Sequence, residues 1–122
     1  MAEDGQQQFA DKVRGLKINS PFIDRFPLKV WELRKTFKKP IHDGVYLCRS
    51  AKGSGKVRVM FHATSLVAKK IHRTDLPNHM VKFQLSLDEL QSYIGDCTKE
   101  YFYAWKLDNI RELEPHVTGV QH

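Results

Sequence analysis

Leu28-Lys29-Val30-Trp31-Glu32-Leu33-Arg34-Lys35 contains a five-residue run, Val30 to Arg34, in which side-chain character alternates with a period of two. That period belongs to a β-strand, where successive side chains point to opposite faces. Trp31 and Leu33 fall on one face, which is apolar and needs a core; Val30, Glu32 and Arg34 fall on the other. The two charged groups on that second face call for water or a ligand, and neither needs burial. Pro27 separates this strand from whatever precedes it, because proline cannot continue a helix or a ladder.

Working toward the N-terminus, Leu16 and Ile18 alternate with Lys17 and Asn19 and suggest a short strand. Ser20-Pro21 reads as a helix cap followed by proline at the first helical position, so a short helix is expected to reach about Phe26. Residues 1–12 are Gln-rich and polar, and are expected to form a flexible tail, because they bury too little to offset the entropy of ordering.

Working toward the C-terminus, the basic loop Lys35 to Pro40 leads to a tight turn at Asp43-Gly44 and a strand over Val45 to Ser50. A Gly-containing connection, Lys52 to Lys56, joins it to a second strand in which Val57, Val59 and Phe61 share a face; this is a hairpin. Residues 64–82 show no dominant period and read as an irregular basic crossing with a turn at Thr74 to Asn78. Ser86-Leu87-Asp88-Glu89 fits a capping box, opening a helix that Gly95 stops. Tyr101 to Leu107 and Ile110 to Leu113 read as two further strands, closed by Glu114-Pro115.

Five or six short strands with two short helices and no regular βαβ alternation predict an α+β domain built on a small β-barrel. The 122 residues suit one core, so the expected division is a tail over 1–12, a domain over 13–116 and a C-terminal tail over 117–122. Cys48 and Cys97 are too few for a disulfide scaffold and lack metal-ribbon spacing; Cys48 reads as a small core residue. Neither a secretion signal nor a membrane-length apolar run is visible, so a cytoplasmic protein without a membrane partner is expected, with a monomer favoured.

The net charge of +6 is unevenly distributed. Residues 12–82 carry 17 Lys or Arg against four acidic side chains, whereas residues 83–122 carry three against seven. A polyanion would approach the middle of the chain, and a plain solvated basic surface is the competing explanation.

Three ordered segments resemble the ASCH family of PUA-like barrels over roughly residues 15 to 115. The first is Leu28 to Lys35, with a lysine, a glutamate three on and an arginine two further; the second is Val45 to Ser50 with its hairpin. The third is the helix Ser86 to Gly95 followed by Tyr101-Phe102-Tyr103-Ala104-Trp105-Lys106-Leu107 and Glu114-Pro115. The resemblance implies a small PUA-like barrel around a cleft and a role in RNA binding. In some members it also implies ribonuclease activity or deacylation of N-acetylated cytidine. In the deacylating branch a nucleophilic threonine takes the position held here by Glu32, and this departure weakens the amidohydrolase reading.

The expected site is a basic cleft. Lys29 and Arg34 can neutralise phosphate, and Glu32 between them can accept hydrogen bonds from a base amino group or a ribose hydroxyl. Arg49, Ser50, Lys52 and Lys56 extend the cation-rich rim, and Tyr103 or Trp105 would stack on a base. The bland alternative is a surface Lys-Glu-Arg strand with aromatics that pack the core. Lys52-Gly53-Ser54-Gly55-Lys56 is not a triphosphatase loop, because Ser50 stands where the first glycine belongs and Val57 where the metal-binding hydroxyl belongs. The six histidines show no metal-binding spacing, and His72, between Lys70 and Arg73, is the one considered for acid-base work on RNA. RNA or a nucleotide is the expected partner and DNA the alternative, with no cofactor or metal. A binding module leads; an RNA-metabolism enzyme, ribonuclease or amidohydrolase, is the competing class, with its catalytic residues unassigned.

Overall fold

A computed structural model, which describes residues 15–51 and 56–113, pairs β3 (Val45–Ala51) antiparallel with β4 (Lys56–Ala63). Gly44 enters the hairpin at φ 107°, a conformation open to glycine at little cost. β1 (Gly15–Lys17) joins β3 in parallel and β7 (Arg111–Glu112) joins β4, giving a four-stranded sheet of order β1-β3-β4-β7. After Thr64 the chain turns into β5 (Ser65–His72), which belongs to a second, antiparallel sheet of order β2-β6-β5. Its other strands are β2 (Trp31–Arg34) and β6 (Tyr101–Asp108).

The second sheet is sandwiched. Trp105 and Leu107 of β6 and Leu66 of β5 face the first sheet, where they pack with Leu47 and Phe61. Phe102 and Ala104, with Trp31, Leu33 and Ile71, face the other way, against Leu76, Phe83 and Leu90 from the helical segments. Those segments are a 3-10 stretch at Arg73–His79, α1 (Met80–Phe83) and α2 (Leu87–Ile94). The Ser86 capping box is formed in full, and Gly95 ends α2 at φ 54°.

The α+β class therefore holds, but four expectations are corrected. Seven strands form two hydrogen-bonded sheets, and no ladder closes into a barrel among the described residues; one isolated bridge, Ile41 to Leu66, lies outside the named strands. The supposed irregular crossing contains the eight-residue β5: Leu66 feeds the intersheet core and Ile71 the helical one, so its apolar residues show no single-face period. The helix expected after Ser20 is a four-residue 3-10 turn, Phe22–Arg25, without a side-chain cap, confined between Pro21 and Pro27. Finally, Glu32 is buried, although its strand face called for water or a ligand and did not need burial, because its cross-strand partner is Trp105, on the side of the sheet that packs against the first sheet. The two tails, the hairpin connection at 52–55 and Glu114-Pro115 lie outside the described residues. No described helix is long and apolar enough to cross a membrane.

Candidate functional site

A cavity of about 360 Å³ opens where the edge of the first sheet, β2 and α2 meet. Such a volume lies within the range of small-molecule sites, at its lower end. β1 and the residues after it bring Lys17, Ile18 and Asn19; the 3-10 turn brings Phe22; α2 brings Glu89 and Tyr93; β2 and the residues before it bring Lys29, Glu32 and Arg34.

Lys29 is the most unusual of these. It is 1% exposed, and its ammonium donates to the carbonyl of Phe83 at 2.7 Å and pairs with Glu32 at 3.3 Å. The Phe83 carbonyl belongs to the last residue of α1, where helical carbonyls lack an intrahelical partner, so the lysine satisfies a group the fold leaves open. Burial pushes the ammonium down from the usual lysine range, and the charge of Glu32 opposes that shift. Glu32, 8% exposed, takes Lys29 on one carboxylate oxygen and the Arg34 Nε on the other at 3.0 Å. Arg34 also donates to the Lys17 carbonyl at 2.7 Å, tying β2 to β1. Its guanidinium lies over the Trp105 ring at 5.0 Å.

Glu89, on the cavity lining, belongs to a second ion pair, whose arginine lies outside the lining. Arg25 grips Glu89 with two hydrogen bonds of 2.7 and 2.8 Å, and Glu89 also accepts from the Ser86 backbone. The Arg25 guanidinium and the Ser86 N–H together hold the Glu89 carboxyl down at about 2. Tyr93 supplies an aromatic wall, and its partial burial pushes the phenol up.

Lys29, Glu32 and Arg34 thus converge as expected, but with different assignments. Lys29 is a buried structural cation and is already paired, so it cannot serve as a free phosphate ligand. The lining holds Lys17, Lys29 and Arg34 against Glu32 and Glu89, a polar mixture and not a uniformly basic cleft. Trp105 and Tyr103 do not line it. The register Glu32 to Trp105 and Arg34 to Tyr103 puts them on the right sheet face, but Trp105 is 6% exposed and donates its indole N–H to Thr36. Tyr103 packs edge-on against Phe37. Arg49 stands opposite Arg58 in the hairpin and is not among the lining residues. The side chains of Ser50, Lys52 and Lys56 lie outside the described residues.

Residue types alone did not single out Lys17, Asn19, Phe22 or Leu85. Glu89 carried a signal, as the acid of the capping box, and Tyr93 lay on the apolar side of the same helix. His72 is engaged with Thr74 at 2.8 Å and is not at the cavity, and Cys48 is buried with its thiol pushed up by desolvation. No cluster of three or more His, Cys, Asp or Glu suited to a metal occurs among the described residues.

No protein-family profile matches the chain, and no curated protein matches it in sequence. Solved structures do match. The ASCH protein of Zymomonas mobilis superposes with a TM-score of 0.65 at 14% identity, covering 80% of this chain and 68% of that one. A tyrosine-to-phenylalanine variant of that protein gives 0.62 at 14% identity, over 88% and 81% of the two chains. A serine-to-alanine variant gives 0.61 at 16%, over 82% and 72%. At these identities the likeness is one of fold, and this chain has the fold of those ASCH structures.

Proposed function

We propose, starting from that ASCH fold, that this chain is an RNA-related binding module whose cavity holds one nucleotide, free or within a single strand. The observation that carries the reading is the buried Glu32 carboxylate, flanked by Lys29 and Arg34 at a cavity with an aromatic wall. A buried acceptor suits the N–H donors of a nucleobase edge, and a group lacking those donors would leave it less well satisfied. Tyr93 and Phe22 offer apolar or stacking contact to the base, while Lys17 and the uncommitted N–H groups of Arg34 can meet a phosphate or ribose. PUA-like superfamily membership, a cytoplasmic setting and a monomeric state complete the reading, with DNA as the competing ligand.

Fluorescence anisotropy with labelled single-stranded RNA and DNA tests it. Binding should weaken with salt, and Lys17→Gln with Arg34→Gln should reduce affinity by roughly 10-fold or more, the scale of one charge-assisted hydrogen bond. Absence of binding at low ionic strength would sink the proposal.

The depressed, buried Lys29 ammonium favours a second reading, an RNA-metabolism enzyme that moves a proton at this cavity. Incubation with single-stranded RNA and with N-acetylated cytidine, with and without divalent metal, separates the two classes. Unchanged substrates throughout would reject the enzyme.

A further inference from the structure

Trp31 points away from the cavity, to the opposite face of β2, and gathers a second charged feature around its ring. The ammonium of Lys82 lies 4.6 Å from the ring centroid, that of Lys106 5.6 Å and that of Lys69 5.9 Å, and the His79 ring lies 5.1 Å away, tilted by 38°. Three separate elements deliver these lysines. Lys106 on β6 is the direct cross-strand partner of Trp31 and also of Val67 on β5, which places Lys69, two residues along β5, on the same face. Lys82 arrives from α1, whose Lys82 carbonyl accepts the Val30 N–H at 3.0 Å.

The cluster has little negative charge of its own. None of the three lysines makes an ion pair among the described residues. Asp75 feels Lys69, but its carboxylate is engaged by Asn78 at 2.7 Å and His79 at 3.0 Å. Cation-π contact orients the ammonium groups but does not neutralise them. All three ammonium groups lie within about 6 Å of one ring centroid, which is less than the Debye length of about 8 Å at physiological ionic strength, so each feels the others and a polyanion would relieve all three together. Trp31 is 6% exposed, which leaves no open aromatic face for a base. The feature therefore suits sugar-phosphate contact, which positions a strand without reading its sequence.

β2 is an edge strand of its sheet, with Glu32 and Arg34 turned to the cavity and Trp31 to the lysines. A strand with one nucleotide in the cavity can pass around that edge. We propose that Lys69, Lys82 and Lys106 form a backbone-phosphate site for RNA whose nucleotide occupies the cavity, an inference that rests on the cavity reading above.

The test compares the intact chain with a Lys69→Gln, Lys82→Gln, Lys106→Gln variant, and the corresponding triple Lys→Arg variant, on two ligands. Ribonucleoside monophosphates probe the cavity alone, and a single-stranded RNA of about 12 nucleotides probes both sites. The Gln variant should keep mononucleotide affinity within about two-fold and lose RNA affinity. Its plot of log K against log salt should be shallower by about 2, given about 0.7 per phosphate contact on a single strand, and the Arg variant should retain the intact slope. Matching thermal melting curves establish that both variants fold; if the Gln variant does not, single Lys→Gln variants should each make the slope shallower by about 0.7. Wild-type RNA affinity and slope in folded Gln variants would overturn the phosphate site and leave the cavity reading standing. Failure of the intact chain to bind either ligand would overturn both. Anionic phospholipid vesicles that bind these lysines when RNA does not would assign the patch to a membrane surface and overturn the proposal.

Discussion

Replacing Glu32 with glutamine keeps the side-chain shape and removes one charge from the most buried ionic cluster of the fold. Lys29 would then retain the Phe83 carbonyl but no counter-charge, while remaining enclosed. Breaking a buried pair from one side costs about 3–5 kcal/mol. The lower end applies because Arg34 is partly exposed and can turn to water. Neutralising Lys29 at pH 7 sets a ceiling of about 4.6 kcal/mol, from a reference pKa near 10.4 and about 1.36 kcal/mol per unit. A loss of about 3 kcal/mol should lower the melting temperature by about 12 °C at roughly 4 °C per kcal/mol. The pH dependence has a definite sign. Lys29 is already pushed down by burial, and removing Glu32 removes the main influence raising it. Between its folded value and the unfolded value the unfolded chain binds more protons, so stability rises with pH through that window. The deficit of Glu32→Gln should therefore be largest near neutrality and shrink toward pH 10. Thermal unfolding followed by circular dichroism at pH 7 and 9.5 reads this directly. Adding Lys29→Met should restore part of the loss, because both partners are then gone. A Glu32→Gln variant within about 0.5 kcal/mol of the parent, or a deficit independent of pH, would mean that Glu32 does not sustain the buried Lys29 charge.

Leu66→Ala and Ile71→Ala should each cost about 3 kcal/mol by urea unfolding, and nearly additively, because the two side chains fill different cores. Strong coupling between them would contradict the sandwiched placement of the second sheet. Glu89 contributes stability above its unfolded value near 4.5, and loses it as pH falls through about 2. Glu89→Gln should flatten the acid limb of the stability curve between those values and lower stability at neutral pH; an unchanged acid limb would remove Arg25 and Ser86 as its cause.

Local patterns in the sequence disclosed much of this arrangement. The alternation around Trp31, the hairpin and the Ser86 capping box each depend on near neighbours, and each is formed. β5 escaped because its buried residues serve opposite faces, which erases the period that marks a half-buried strand. Lys29, Glu32 and Arg34 were legible as a group. The burial of Lys29 and Glu32 was not, because Lys29 is enclosed against a helix-terminal carbonyl more than 50 residues away, at Phe83, and holds Glu32 with it. Trp105 misled for a related reason: an aromatic beside a charged strand suits a stacking wall or a core equally, and only its bond to Thr36 and contact with Leu107's core decide between them.

Backbone-amide NMR titration with the four ribonucleoside monophosphates asks whether the cavity holds a nucleotide. A nucleotide in the cavity should shift the amides of Lys17, Asn19, Glu32, Arg34 and Tyr93 in a saturable way, and leave those of the β3–β4 hairpin unmoved. Saturable shifts elsewhere with the cavity unperturbed, or no shifts at millimolar nucleotide, would contradict the cavity reading.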